Sequence, residues 1–222
     1  NGCVEFDSVT TDSVVWVGLF GNDSVVPQGI SVYEDGAQHF GLPLKGEFAS
    51  YSFDPTKTLP NFGNGGAVVS NNSDIVERVK LLRRHGQVDI HTGGNSIMSE
   101  RDCAELLVKL EFFDDWTSRR RELAEYYTEE LEELVDCITD PTGMVSKFVV
   151  ATDKKSCLKT HLILKNIQCK DVYEEPLTNM PQATLNCERF LSIPCDSYTT
   201  WDEASTVVEH IKMFFEPSPL KT

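Results

Sequence analysis

The stretch ISVYEDGAQHFGLPLKGEFASYSFDPTKTL, residues 30–59, holds two strand-like runs, each followed by residues that can do chemistry. Ile30 to Tyr33 ends at the acidic pair Glu34 and Asp35, and Phe48 to Phe53 runs into a turn that carries Lys57. Downstream, GNGGAVVSN (63–71) is a glycine-rich turn feeding a further strand candidate, Ala67 to Ser70. Upstream, VVWVGLF (14–20) is a near-continuous apolar run closed by Gly21 and Asn22. Such a run reads as a strand buried on both faces of a parallel sheet. Short strands in this number predict an α/β sheet as the organising element of the first third.

Helices are expected next. Asn72 or Ser73 can cap a helix with Ile75, Val79 and Leu82 at helical spacing, closed by Arg83, Arg84, His85 and Gly86. Ser99 with Asp102 resembles a capping box, and Cys103, Leu106, Leu107, Leu110 and Phe113 mark one face of the helix that follows. From Trp116 to Val135 the apolar stripe Leu123, Tyr127, Leu131 and Leu134 lies among dense charge, which reads as a long helix connecting two domains. After the Asp140-Pro141-Thr142-Gly143 turn come a strand candidate (147–152), a mixed segment (158–167), a turn-rich stretch around Pro176 to Pro181 and a last helix from about Trp201 to Phe215. These predict a small α+β domain, with Pro217 to Thr222 as a frayed tail.

Composition excludes some functions. The 222 residues carry a formal net charge of −15, which argues against nucleic-acid binding through phosphate contacts. No apolar run is long enough for a membrane span, and no signal-peptide pattern opens the chain, so a cytoplasmic protein is expected. The 7 cysteines are scattered without a C-x-x-C pair and read mostly as small buried hydrophobes. The 5 histidines form no metal-binding motif, so no metal is expected. His39 and His85 read as structural.

Three local patterns point to one chemistry. A carboxylate at the C-terminal end of a strand, as Asp35 is, stands where open α/β sheets bind ligands. A lysine soon after another strand, as Lys57 is, can form a Schiff base with a carbonyl compound. The glycines of 63–66 allow close backbone approach, whether to a ligand or simply in a tight turn.

EDGAQHFG (34–41), SYSFDPTKTL (50–59), NNSDIVERVKLLRRHG (71–86), NSIMSERDCAEL (95–106), RRRELAEYYTEEL (119–131) and ERFLSIPC (188–195) occur here in order. Together they resemble the DegT/DnrJ/StrS family of sugar-nucleotide aminotransferases, starting from GCVEFD (2–7). The resemblance implies the type I PLP-dependent transferase fold. Residues 1–115 would form a partial PLP-binding large domain with a mostly parallel sheet, and 116–222 a connecting helix and a small C-terminal α+β domain. It also implies pyridoxal 5'-phosphate as cofactor, an amino-acid donor (glutamate in many members), a nucleotide-linked keto sugar as acceptor, and a homodimer with a shared active site.

Position by position, Lys57 matches the lysine that carries the cofactor and shuttles the proton. Asp35 matches the carboxylate at the pyridine nitrogen, and Gln38 the side chain at the ring's phenolic oxygen. Ser52 matches a hydroxyl that binds the phosphate, and Asn95 an asparagine lent across the dimer to the neighbour's phosphate.

Several features depart from the family pattern. The N-terminal portion that supplies a phosphate cup and a stacking aromatic ring has no counterpart, so a truncated large domain is expected. Only 12 residues separate Gly21 from Glu34, short for a crossover helix, and the loop from Gly41 to Phe48 is clipped. Ile97 stands where an arginine is common, and Thr178 where a histidine often follows Pro-Leu. A shortened, non-catalytic relative serving as a dimerisation or binding module remains the alternative reading, and a fragment whose missing part completes the site is a third.

Overall fold

The computed structural model describes residues 11–26, 28–86, 93–176 and 180–216. The GCVEFD segment, Cys3, Thr178 and the tail from Pro217 lie outside the described residues. By its internal contacts the chain divides into two compact units. Of the described residues, one contains 11–19, 23–26, 28–86 and 93–115, the other 20–22, 116–176 and 180–216.

The N-terminal unit is built on a four-stranded sheet in the order β1-β2-β3-β4. Its strands are β1 (Ser13–Val17), β2 (Ser31–Asp35), β3 (Phe48–Ser52) and β4 (Gly66–Val69). The first two pairings are parallel and the last is antiparallel, so the sheet is mostly parallel. Among the described residues no α-helix separates the parallel neighbours: the β1–β2 connection contains a short 3-10 turn at Leu19–Gly21, and residues 36–47 join β2 to β3 as loop.

Partners across a strand pair share a face. Trp16, Glu34 and Ala49 are in register on one face, which the 36–47 loop covers with His39 and Phe40. Val17, Asp35 and Ser50 are in register on the other. That second face is open. Val15 is 69 % exposed, Val17 43 % and Val68, which pairs with Ser50, 40 %. The expectation that β1 is buried on both faces is therefore corrected: Val15 and Val17 are exposed, and within β1 only the alternate residue Trp16 is buried.

Helix α1 (Ser73–Leu82) starts where its cap predicts, with the Asn72 side chain accepting the Asp74 N–H at 2.9 Å. It stops through Gly86, whose φ of 59° suits glycine and whose N–H reaches Leu81 O at 3.1 Å. Helix α2 (Glu100–Leu110) opens on Ser99, which accepts the Asp102 N–H. Its predicted apolar face is only partly used: Leu106 is buried, while Leu107 and Leu110 are exposed.

The C-terminal unit closes on itself. Helix α3 (Phe113–Leu131) starts three residues before the predicted Trp116, and from Leu123 onward it is a core element of this unit. A second four-stranded sheet has the order β5-β6-β8-β7, every pair antiparallel. Its strands are β5 (Asp136–Cys137), β6 (Phe148–Ala151), β7 (Lys170–Asp171) and β8 (Phe190–Ile193), with α4 (Lys155–Leu164), α5 (Pro181–Arg189) and α6 (Trp201–Phe215) around them. All four residues of β6 are buried, as are Leu123, Tyr127, Leu158, Leu162 and Ile211. Helix α6 opens on a full capping box between Thr200 and Glu203.

The arginine run of α3 belongs to this packing rather than to a solvated face. Arg119 donates to Thr199 O (2.8 Å), Arg120 to Cys195 O (3.0 Å) and Arg121 to Gly143 O (2.8 Å). All six described cysteines are free, but only Cys195 is buried and Cys157 is exposed, so the expectation of mostly buried thiols is corrected. Burial pushes the Cys195 thiol up to about 12 and Cys137 up to about 11.

Candidate active site

The parallel register brings two of the predicted residues together. Asp35 closes β2 opposite Ser50, and Ser52 closes β3 two residues further on, so all three share the open face. Asp35 and Ser52 are thus one strand apart, about 4.8 Å, and offset by about 6.6 Å along it. Both sit at the C-terminal ends of neighbouring parallel strands, the edge where open α/β sheets take ligands.

Asp35 keeps its carboxylate local: Oδ1 accepts the Ala37 N–H at 3.1 Å. The turn that follows is closed by the His39 N–H to Gly36 O at 3.1 Å, and it presents the half-buried Gln38. The Gly36 N–H donates to Ser50 O at 2.7 Å, locking this turn to β3.

Lys57 follows β3 on a turn organised by Asp54. Asp54 Oδ1 accepts the Thr56 N–H (2.8 Å) and the Thr56 hydroxyl (2.5 Å), and the Lys57 N–H donates to Asp54 O (2.9 Å). The Thr56 hydroxyl and amide, ahead of Lys57, hold the Asp54 carboxyl below its ordinary range. Ser52 Oγ accepts the Asp54 N–H at 3.3 Å, so serine, turn and lysine form one hydrogen-bonded unit.

Asn95 follows helix α1 in the same unit. It is exposed and bridges to Arg84 past the C-terminal end of α1, with the Ser96 N–H on Arg83 O at 3.0 Å.

The motif reading takes Glu34 only as half of an acidic pair. In the structure it is buried, 2 % exposed, beneath the sheet face opposite Asp35. Its Oε1 accepts the Lys45 N–H at 2.5 Å and the Gly46 N–H, while Oε2 lies 3.4 Å from His39 Nε2. His39 is fully buried against the Trp16 ring, centroids 4.9 Å apart. Burial lowers the His39 pKa below its ordinary 6.5, outweighing the upward pull of Glu34. The signal was there in the alternation: Val32 and Glu34 share one parity of β2, so an acid on the buried side requires buried partners.

Among the described residues no group of three or more histidines, cysteines or acids could hold a metal. No helix there is long and apolar enough to cross a membrane.

Comparison with known proteins shows the family and the fold. The profile of the DegT/DnrJ/EryC1/StrS aminotransferase family matches residues 23–212. The chain is 29 % identical to a pleiotropic regulatory protein of Geobacillus stearothermophilus, over 84 % of this chain and 59 % of that one. It is 28 % identical to the dTDP-3-amino-3,4,6-trideoxy-alpha-D-glucose transaminase of Streptomyces venezuelae, over 85 % of this chain and 57 % of the relative. The chain thus spans under two thirds of the length of these relatives. Among solved structures, S. venezuelae DesV in complex with a ketimine intermediate superposes with a TM-score of 0.81 at 26 % identity, covering 93 % of this chain and 66 % of DesV. The α/β architecture with its mostly parallel sheet is that of these aminotransferases. With a family profile that runs from just after β1 into the last helix, the chain belongs to the DegT/DnrJ/EryC1/StrS aminotransferase family.

Proposed function

We propose that the protein is a PLP-dependent aminotransferase that moves an amino group from an amino acid, glutamate in the first instance, to the keto carbon of a nucleotide-linked sugar. The observation that carries this is the shared open face of Asp35 and Ser52, with Lys57 on the turn that Ser52 anchors. The donor set fits pyridoxal 5'-phosphate: Asp35 has an oxygen beyond the one held by Ala37, and Ser52 brings a hydroxyl. When bound, that cofactor supplies an electron sink for bond cleavage at the amino-bearing carbon.

The chain's own residues have separate tasks. Asp35 holds a proton on the cofactor's ring nitrogen, where an adjacent anion favours the charged form. Gln38 orients the ring through its phenolic oxygen, and the Ser52 hydroxyl takes a phosphate oxygen. Lys57 Nζ moves the proton between substrate carbon and cofactor, a role that accounts for roughly 10²–10⁴-fold in rate. Asn95, which is exposed, serves the phosphate of a second copy in a homodimer, which also covers the valines of the open face. The free cysteines suit a reducing compartment, the cytoplasm.

The test is direct. The full protein with pyridoxal 5'-phosphate should gain a visible absorption band, and borohydride should fix the cofactor mass on the Lys57 peptide. Adding glutamate before reduction should bleach the band. No band, or a band untouched by Lys57→Ala, rejects the enzymatic reading. It would favour a non-catalytic binding module, the second reading, for which the uncovered Val15 and Val17 are the supporting observation.

A further inference from the structure

Parallel neighbours β2 and β3 are joined by residues 36–47 without a crossover helix, so something else must fix that loop. Its beginning carries Gln38, and its end leads into the strand that carries Ser50 and Ser52. Both ends of the loop converge on one buried side chain. Glu34 Oε1 accepts the Lys45 and Gly46 N–H groups just before β3, and Oε2 faces His39 just after the Asp35 turn.

The surroundings leave little slack. A Cβ on Gly18 would collide with the His39 ring, and one on Gly46 would collide with Val32 O. Trp16 and Tyr51 close on the imidazole from two further directions, with centroids 4.9 Å and 6.1 Å away. The Glu47 N–H adds a bond to Val32 O at 2.8 Å, and Ser50 Oγ reaches Glu34 O at 3.3 Å. A buried carboxylate left without such donors would be strongly destabilising, so the clamp is also what lets Glu34 stay inside.

We propose that Glu34 is a positioning residue for the cofactor site: by holding Lys45, Gly46 and His39 from the covered face of the sheet, it fixes Asp35 and Gln38 relative to Ser52 on the open face. The inference rests on the aminotransferase reading of Asp35, Gln38 and Ser52. Glu34 itself touches no reacting atom. It works through the loop, in the place a crossover helix occupies in ordinary parallel connections.

Two variants of similar size separate the clamp from mere charge. Glu34→Gln keeps an acceptor oxygen for Lys45 and Gly46, whereas Glu34→Met keeps the length and removes every acceptor. In the full protein, titration with pyridoxal 5'-phosphate should give an affinity within about threefold of wild type for Glu34→Gln and at least about tenfold weaker for Glu34→Met. The absorption maximum of the bound cofactor should move in Glu34→Met and stay in Glu34→Gln, a shift that loss of stability alone does not produce.

Amide hydrogen exchange supplies a readout that needs no cofactor. In wild type the Lys45 and Gly46 amides should exchange as slowly as those of β3, and if Glu34→Met does not fold this measurement decides. Fast exchange there overturns the inference. So does a Glu34→Met protein that matches wild type in affinity and spectrum. A wild-type protein that takes up no cofactor on Lys57 overturns the aminotransferase reading instead, and the positioning role falls with it.

Discussion

The two units bury charge and apolar surface in opposite ways. In the C-terminal unit β6 is buried along its whole length, and α3, α4 and α6 each set leucine, valine or isoleucine side chains against the core. In the N-terminal unit one sheet face is open at Val15, Val17 and Val68, and the other hides a glutamate and a histidine. The C-terminal interior is mainly hydrocarbon, with the α3 arginines tied to backbone carbonyls at its border. The N-terminal sheet keeps an accessible face at Asp35 and Ser52 and has polar anchors on the face behind it. Substitutions in the two units should therefore separate function from stability.

The largest effect is expected at Lys57. Lys57→Ala should lower transamination by roughly 10²–10⁴-fold and abolish fixation by borohydride. Its unfolding midpoint should change little, because the side chain lies on a turn outside the core. Equal losses of activity and stability would erase the contrast between the units.

Leu158→Ala should behave the other way round. The side chain is fully buried in the C-terminal core, so about 2–5 kcal/mol of stability should be lost in denaturant unfolding. Cofactor affinity in the folded fraction should be unchanged.

A third measurement sharpens the difference in polarity. Because burial holds His39 below its unfolded pKa of 6.5, the unfolded chain takes up the proton first as pH falls. The stability that the neutral ring contributes is complete above about pH 6.5 and declines below it, towards the lower folded value. Thermal midpoints should therefore fall on acidification through this range, and less steeply in His39→Phe, which keeps a ring beside Trp16. An identical slope in both proteins would remove His39 as the cause.

Smaller effects complete the series. Thr200→Ala deletes the capping box of α6 and should cost about 1 kcal/mol. Alkylation with iodoacetamide should label the exposed Cys157 first and leave Cys195 intact, since burial holds that thiol at about 12.

Much of this was legible in residue order. Asn72 and Ser99 each stand where a helix begins, and capping is a local interaction that a few neighbouring residues decide. Asp35 and Ser52 were readable at the ends of short strands and Lys57 on the turn after the second, with their roles implied by the family resemblance. The central place of β8 was not. Phe190–Ile193 follows α5 directly and pairs with β6 and β7, partners far from it in the chain. Pairing of that kind depends on long-range contacts, which local periodicity does not encode. The exposure of Leu107, Leu110 and Val15 escaped for a related reason: hydrophobic patterning marks a face as able to be buried, without naming what buries it.

Sequence by itself determined the residue types, the caps at Asn72 and Ser99, the turn at Asp140, and the family, since all of these rest on near neighbours or on spacing along the chain. Tertiary structure alone decided that Asp35 and Ser52 share a face, that Asn95 pairs with Arg84, and that Glu34 and His39 are buried on the opposite face. The reason is strand register: parity along a strand alternates its two faces, but which face is covered depends on what packs there.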